Sequence, residues 1–262
     1  MKTKLFRVLA LGDAVGPLAL KHLAKRLPEL QKALSPDLVI VNGENSARGN
    51  GMTRESLAAL FSAGADAITS GNHAFQRKEI YDALDGADLV LRPCNYPGEC
   101  PGVGHRIAVF SGVRVLILNV MGVVMTLPLL SPFDSVEAIL RREKGNFDLA
   151  VCDFHGEATS EKIAFARAFD GRLSAVFGTH THVPTADLRI LPGGTGAITD
   201  LGMCGAKDSV LGVHPDDALY RLKNHIAPPH AKEAEGEVCV NGAVFDLDPG
   251  TGACTAVSQI LE

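Results

Sequence analysis

Ala175-Val176-Phe177-Gly178-Thr179-His180-Thr181-His182 runs from a short apolar segment directly into two imidazoles. An apolar run of this length, closed by Gly and Thr, predicts a buried strand. In extended chain, residues two apart share a side. His180 and His182 are therefore expected to reach one centre, with the threonines keeping the segment extended. Four other runs end in a similar way: Val8-Leu9-Ala10-Leu11-Gly12-Asp13, Leu38-Val39-Ile40-Val41-Asn42-Gly43-Glu44-Asn45, Ala67-Ile68-Thr69-Ser70-Gly71-Asn72-His73 and Leu149-Ala150-Val151-Cys152-Asp153-Phe154-His155. Each offers carboxylate, amide or imidazole atoms at the C-terminal edge of a predicted strand, the edge at which open α/β sheets bind ligands. Taken singly, each ending has a plainer reading. Asp13 can cap the next helix, Asn42-Gly43 is a turn dipeptide, and a loop histidine is an ordinary surface residue. None of these accounts for Glu44, a carboxylate able to bridge two cations, one oxygen to each. Histidine is the commonest metal ligand among side chains, so five such endings on one chain point to a polynuclear metal site.

The bulk properties are those of an ordinary globular chain. The chain has 262 residues, 46% hydrophobic and 21% charged, with a formal net charge of −5. That balance lacks the basic excess of a duplex nucleic-acid binder, and aromatics at 5% offer little for base stacking. Attraction for an anionic substrate must come from local cations, bound metals being the strongest kind. Neither a membrane nor a stable nucleic-acid partner is expected. Met1-Lys2-Thr3-Lys4 is basic, but the apolar stretch after it is short and ends in Gly12-Asp13, which suits a first strand better than a leader. No apolar run approaches the ~18 residues of a membrane span, and a cytoplasmic location is the default expectation. The cysteines Cys94, Cys100, Cys152, Cys204, Cys239 and Cys254 form no C-x-x-C pair. They read as core or loop residues rather than as a zinc site.

Between the strand runs lie amphipathic segments. Val15-Gly16-Pro17 opens a helix that carries Leu18, Leu20, Leu23, Leu27 and Leu30 and is broken by Ser35-Pro36-Asp37. Thr53 and Ser56 predict a capped helix start, ending near Gly64. A third helix is expected over 77–84 and a Pro-, Gly- and Cys-rich loop up to Gly104. A hairpin joins strands near 106–110 and 113–120 through Ser111-Gly112. Further helices are predicted over 132–142 and 159–169, and closing strands near 238–247 and 253–260. Gly193-Gly194-Thr195-Gly196 and Gly202-Met203-Cys204-Gly205 match no phosphate-loop pattern and read as turns. His22, His105, His214, His225 and His230 receive no role. Residues 1–262 read as one α/β domain with mixed sheets.

The motifs Gly12-Asp13-Ala14-Val15-Gly16, Asn42-Gly43-Glu44-Asn45, Gly71-Asn72-His73, Arg92-Pro93, the run from Asp153-Phe154-His155-Gly156-Glu157 to Lys162, Gly178-Thr179-His180-Thr181-His182-Val183 and Thr199-Asp200-Leu201-Gly202-Met203 occur in one order across nearly the whole chain. Together they resemble the calcineurin-like metallophosphoesterases, and more closely the bacterial YmdB-type family within them. The resemblance implies a four-layer α/β/β/α sandwich with two mixed central sheets. It implies two divalent metal ions, iron or manganese first and magnesium or zinc next, held by Asp13, Glu44, Asn45, Asn72, His155, His180 and His182, with Glu44 bridging. It implies His73 as the catalytic acid of a phosphodiesterase acting on 2′,3′- or 3′,5′-cyclic AMP, and it leaves a homo-oligomer open. Two positions depart from the wider pattern. Val15 stands where the superfamily usually has a histidine, so Asn45 is expected to fill in, and Ala74 stands where an acidic residue often orients the acid.

Two cations ~3.5–4 Å apart can activate a water and neutralise phosphoryl charge. In-line attack by metal-bound hydroxide, with protonation of the leaving ribose oxygen by His73, is the expected reaction. The alternatives are a phosphomonoesterase on nucleotides or small metabolites and a metal-bound regulatory protein with weak catalysis. An RNA-directed nuclease is disfavoured by the acidic charge.

Overall fold

A computed structural model describes residues 4–86 and 88–262; Met1 to Thr3, part of the basic start weighed above, lie outside the described residues. The first sheet contains β1 (Phe6–Ala14), β2 (Leu38–Asn42) and β3 (Ala67–Thr69), all parallel. It continues on the other side of β1 with β10 (Met203–Ala206) and the antiparallel pair β11 (Val238–Leu247) and β12 (Cys254–Leu261). The second sheet runs from the hairpin of β4 (His105–Phe110) and β5 (Val113–Met121) through β6 (Leu149–His155) and β7 (Ala175–Thr179). It ends at β9 (Gly196–Ile198) and β8 (Arg189–Ile190).

Three separate cores define four layers. Outside the first sheet, Leu23, Leu27 and Leu30 of α1 (Gly16–Leu34) and Leu57 and Leu60 of α2 (Arg54–Ala63) pack on Leu9, Leu11, Val39 and Val41. Between the sheets lie Val8, Ala10, Ile40 and Phe245 from one side and Ile117, Val151 and Phe177 from the other, with Phe177 and Phe245 at 6.2 Å between ring centroids. Outside the second sheet, Val136 and Ile139 of α4 (Pro132–Arg142) and Phe165 of α5 (Thr159–Ala168) cover Leu116, Leu118 and Cys152. Each large aliphatic so buried contributes on the order of 1.5–3 kcal/mol. This is the α/β/β/α sandwich expected above.

Side-chain alternation carries the inner faces to the site. Ile40 faces the inner core, and Asn42, two residues on, faces the same way. Val151 is followed at the same spacing by Asp153 and His155, and Phe177 by Thr179. β1 would fail this rule, because Leu9 and Leu11 face the outer helices and Asp13 would follow them. The β1–β2 register skips Gly12, pairing Leu11 with Val41 and Asp13 with Asn42. That bulge turns Asp13 inward. Gly12 is required there, since a Cβ would sit 1.9 Å from Gly202 O.

The Thr53–Ser56 capping box is complete, each hydroxyl accepting from the other residue's backbone N–H. The expected helix over 77–84 is instead a 3-10 turn, Lys78–Ile80, followed by a single helical turn, α3 (Tyr81–Leu84). Gly193 and Gly194 do form a turn, but Gly196 belongs to β9 and Met203-Cys204-Gly205 to β10. β8 and α6 (Pro215–Asn224) lie where the sequence pattern predicts no element. None of the helices among the described residues is long and apolar enough to cross a membrane.

Candidate metal centre

The five strand endings meet at one edge of the sandwich, between the two sheets. Glu44, 1% exposed, sits at the middle. Its Oε1 lies 3.2 Å from His155 Nε2 and 3.2 Å from His73 Nδ1, and its Oε2 accepts from His73 N at 3.1 Å. His155 Nε2 is 3.0 Å from His180 Nδ1 and 2.9 Å from Asn72 Oδ1. The ligating atoms of Glu44, His155 and His180 all fall within 4.8 Å of one another, which is metal-sized spacing. On the other side, Asn45 Nδ2 links Glu44 Oε1 (3.3 Å) to His182 Nε2 (3.2 Å), and His182 Nε2 is 3.6 Å from Asp13 Oδ1. All seven residues named as ligands from the sequence, and His73, therefore gather in one place.

The donor set fits divalent cations. Asp13 Oδ1 is fully buried and has no hydrogen-bond partner among the described residues, a condition that is costly without a compensating cation. The donors are oxygen and nitrogen with no thiolate, which suits iron, manganese, magnesium or zinc over a soft metal. Each imidazole has its other nitrogen held, as ligating histidines do. His155 Nδ1 meets Thr179 Oγ1 at 2.9 Å, and that hydroxyl donates to Asp153 Oδ1 at 2.7 Å. His180 Nε2 faces Glu157 at 3.1 Å, and His182 Nδ1 donates to Leu211 O at 2.9 Å.

The electrostatics show the same demand for positive charge. Burial pushes Asp13 and Glu44 up, but His182 beside Asp13, and His155 with His73 beside Glu44, outweigh it and hold both below the usual carboxylate range. Burial lowers His182, yet Asp13 lifts it to about 9; His155 is raised over its own burial by Glu44. His180, pressed by burial and by His155, falls to about 4. The imidazoles of His182 and His155, beside Asp13 and Glu44, thus favour their charged forms, and a cation taken up there would displace those protons. Burial lifts Asp153 to about 6; its hydroxyl and amide contacts to Thr69, Asn42 and Thr179 make it a support for the site.

One expectation fails in its reasoning. His180-Thr181-His182 is not extended: β7 stops at Thr179, and His180 and His182 have φ of +104° and +65°. The imidazoles consequently go to opposite sides of Glu44, His180 to His155 and His182 to Asp13. His73, which lacks an adjacent acidic residue, takes its orientation from Glu44 itself, while the amides of Asn50 and Asn72 reach its Nε2 at 3.3 Å each. Glu157, Thr179 and Asp153 were missed as supports. For Asp153 and Thr179 the signal was the inner-face alternation of β6 and β7, legible once the sheet faces are known; Glu157 lies past the end of β6 and carried none.

The centre forms the floor of a cleft of ≈ 670 Å3 whose walls include Arg48, Asn50, His73, Glu157, Arg221 and Lys232. His214, given no role above, stands at its rim. The loop after β10, α6 and the segment up to β11 supply one wall, so the unanticipated elements are those that shape the cleft.

Residues 9–260 match the family model described as YmdB-like protein. The 2′,3′-cyclic-nucleotide 2′-phosphodiesterase of Bacillus subtilis (strain 168) is 39% identical over 255 residues, covering 97% of this chain and 96% of that protein. The crystal structure of a phosphatase from Mycoplasma pneumoniae superimposes with a TM-score of 0.91 at 34% identity, covering 99% of this chain and 94% of that one. A 5′-nucleotidase precursor from Thermus thermophilus, 14% identical with a TM-score of 0.63, covers 98% of this chain and 54% of that one, a likeness of fold alone.

Proposed function

The chain belongs to the YmdB-like family and is a phosphoric ester hydrolase, and from that premise we propose that it is a binuclear-metal phosphodiesterase opening the cyclic phosphate of nucleotides, 2′,3′-cyclic AMP before 3′,5′-cyclic AMP. One observation carries the reading: the buried Glu44 lies between an imidazole pair and an Asp–imidazole pair at the floor of an open cleft, with His73 against it. Asp13, Asn45, His182 and Glu44 would hold one divalent cation; Glu44, Asn72, His155 and His180 would hold the second. Such cations supply Lewis acidity to phosphoryl oxygens and lower the pKa of a coordinated water.

The remaining work falls to the chain's own side chains. Glu44 accepts from His73 Nδ1, which leaves Nε2 as the nitrogen turned to the cleft; protonated there, His73 would hand that proton to the departing ribose oxygen. General acid catalysis of this kind contributes typically ~10²–10⁴-fold. In the resting site the Asn50 and Asn72 amide nitrogens lie 3.3 Å from that nitrogen, which accepts from them. Arg48 and Lys232 of the cleft wall are paired with Glu233 and Asp216, so attraction for an anionic substrate in this net-acidic chain would come chiefly from the bound cations.

The test is turnover of 2′,3′-cyclic AMP, 3′,5′-cyclic AMP, AMP and p-nitrophenyl phosphate by protein loaded with Mn2+ or Fe2+. Preference for the cyclic diesters over both monoesters is expected. The reverse preference would make the protein a phosphomonoesterase on the same metal centre.

A further inference from the structure

Lys162 of α5 and Asp200 between β9 and β10 form a buried ion pair. Nζ and Oδ2 are 2.7 Å apart, and the side chains are 3% and 1% exposed. Neither residue lines the cleft or belongs to the proposed ligand set. Burying two charges is costly, and such a pair persists only where its geometry and further hydrogen bonds are good.

Its further bonds converge on one turn. Lys162 Nζ also donates to Thr179 O at 2.9 Å, and Asp200 Oδ2 also accepts from Thr181 N at 3.1 Å. These two backbone groups flank His180. The groups around them are fixed as well: Leu201 N donates to Gly178 O at 2.8 Å, His180 N donates to Asp13 Oδ2 at 3.1 Å, and Gly202 N donates to Asp200 Oδ1 at 2.9 Å. The held segment is the one in which His180 and His182 take positive φ, a conformation unfavourable for a side chain with a Cβ. Gly178 fits the same device, since a Cβ there would meet Thr199 O at 1.8 Å and the Lys162 stem at 3.1 Å. Strand β7 thus ends in a turn whose backbone is fixed from beneath by a charge pair.

We propose that Lys162 and Asp200 are positioning residues that hold the strained His180-Thr181-His182 turn, so that one imidazole is delivered to each side of Glu44, and that they thereby set the affinity of the centre for divalent cations. This rests on the metal-centre reading above. Without the pair, Thr179 O loses its 2.9 Å bond and keeps the longer contact from Gly156 N at 3.3 Å, and the turn can relax toward negative φ and carry both imidazoles off their positions.

The experiment is calorimetric titration of the whole chain with MnCl2 at constant pH, alongside melting of the untreated protein. Four variants are compared with the wild type: Lys162→Met, Lys162→Arg, Asp200→Asn and Ile139→Ala. The last removes apolar volume from the outer core beneath α4 and controls for general loss of stability. We expect Mn2+ affinity to fall about 10–100-fold in Asp200→Asn, the range for groups that support metal ligands, and at least as far in Lys162→Met, with Ile139→Ala binding as the wild type does. Lys162→Arg, which keeps the charge, should recover part of the loss. Should Lys162→Met not fold, Asp200→Asn, close to isosteric, carries the comparison. Unchanged affinity in a folded Asp200→Asn protein, or an equal loss in Ile139→Ala, would overturn the positioning role and leave the metal centre standing. A wild type that takes up no Mn2+ would remove both.

Discussion

At the residue scale the chemistry depends on His73 and Glu44 touching each other. Replacing His73 by Ala removes the proton donor without removing a proposed ligand. We expect turnover of 2′,3′-cyclic AMP to fall ~10²–10⁴-fold, with Mn2+ uptake by calorimetry unchanged; unaltered turnover would take His73 out of the reaction. A biological role that survives the same substitution would speak for regulation through binding. Much of the centre was legible at this scale. Asp13, Glu44, His155 and the two imidazoles of 180–182 stand at strand ends by sequence alone, and their convergence follows from strands sharing one edge. The partners that hold them were not legible. Thr179 and Asp153 become supports only because alternation puts them on the same inner face as His155, and Glu157 only because its chain passes His180. The extended reading of His180-Thr181-His182 missed the turn, because nothing in a threonine-flanked pair reveals a positive φ supported by side chains from elsewhere in the fold.

At the element scale the decisive feature is the end of β1, where a one-residue bulge turns Asp13 from the helix-packed face to the inner one. Gly12→Ala puts a Cβ against Gly202 O. We expect a loss of about 1–3 kcal/mol in urea unfolding, together with weakened Mn2+ binding through displacement of Asp13. A variant as stable and as tight-binding as the wild type would show that the β1–β10 approach is looser than described. Asp37, in the break after α1, ties three elements together. It accepts from Arg7 N of β1 at 3.0 Å, from Ser111 Oγ in the β4–β5 turn at 2.8 Å and from Lys4 at 3.4 Å. Burial pushes its carboxyl up, but these donors outweigh burial and lower it from 3.8. A depressed carboxylate stabilises the fold above its unfolded value and loses that contribution as pH falls through the folded one. Asp37→Asn should therefore melt below the wild type at neutral pH, and the gap should close below pH 3.8; a gap independent of pH would show that Asp37 acts by shape alone. The strands and most helices were readable from period and breakers. β8, β9, β10 and α6 were not, because two- to four-residue strands carry no period, and α6 is mostly exposed with only Asp217 and Ala218 buried.

For the whole molecule, the two sheets are joined by an apolar inner core at their middles and by the polar cluster at their ends. Cations bound there would tie β1 and β2 of the first sheet to β6 and β7 of the second. Binding to the native state alone stabilises by roughly 2.7 kcal/mol at a hundredfold excess over Kd. The melting temperature should therefore rise with MnCl2 and return on chelation, a shift that Asp13→Ala, which removes a ligand of one cation, should reduce. Most direct of all is anomalous diffraction at the manganese edge from crystals grown with MnCl2. Two peaks sharing Glu44 are expected, one beside Asp13 and His182 and the other beside Asn72, His155 and His180. A map with no peak at Glu44, or with manganese only at surface carboxylates, would contradict a two-cation centre in this fold.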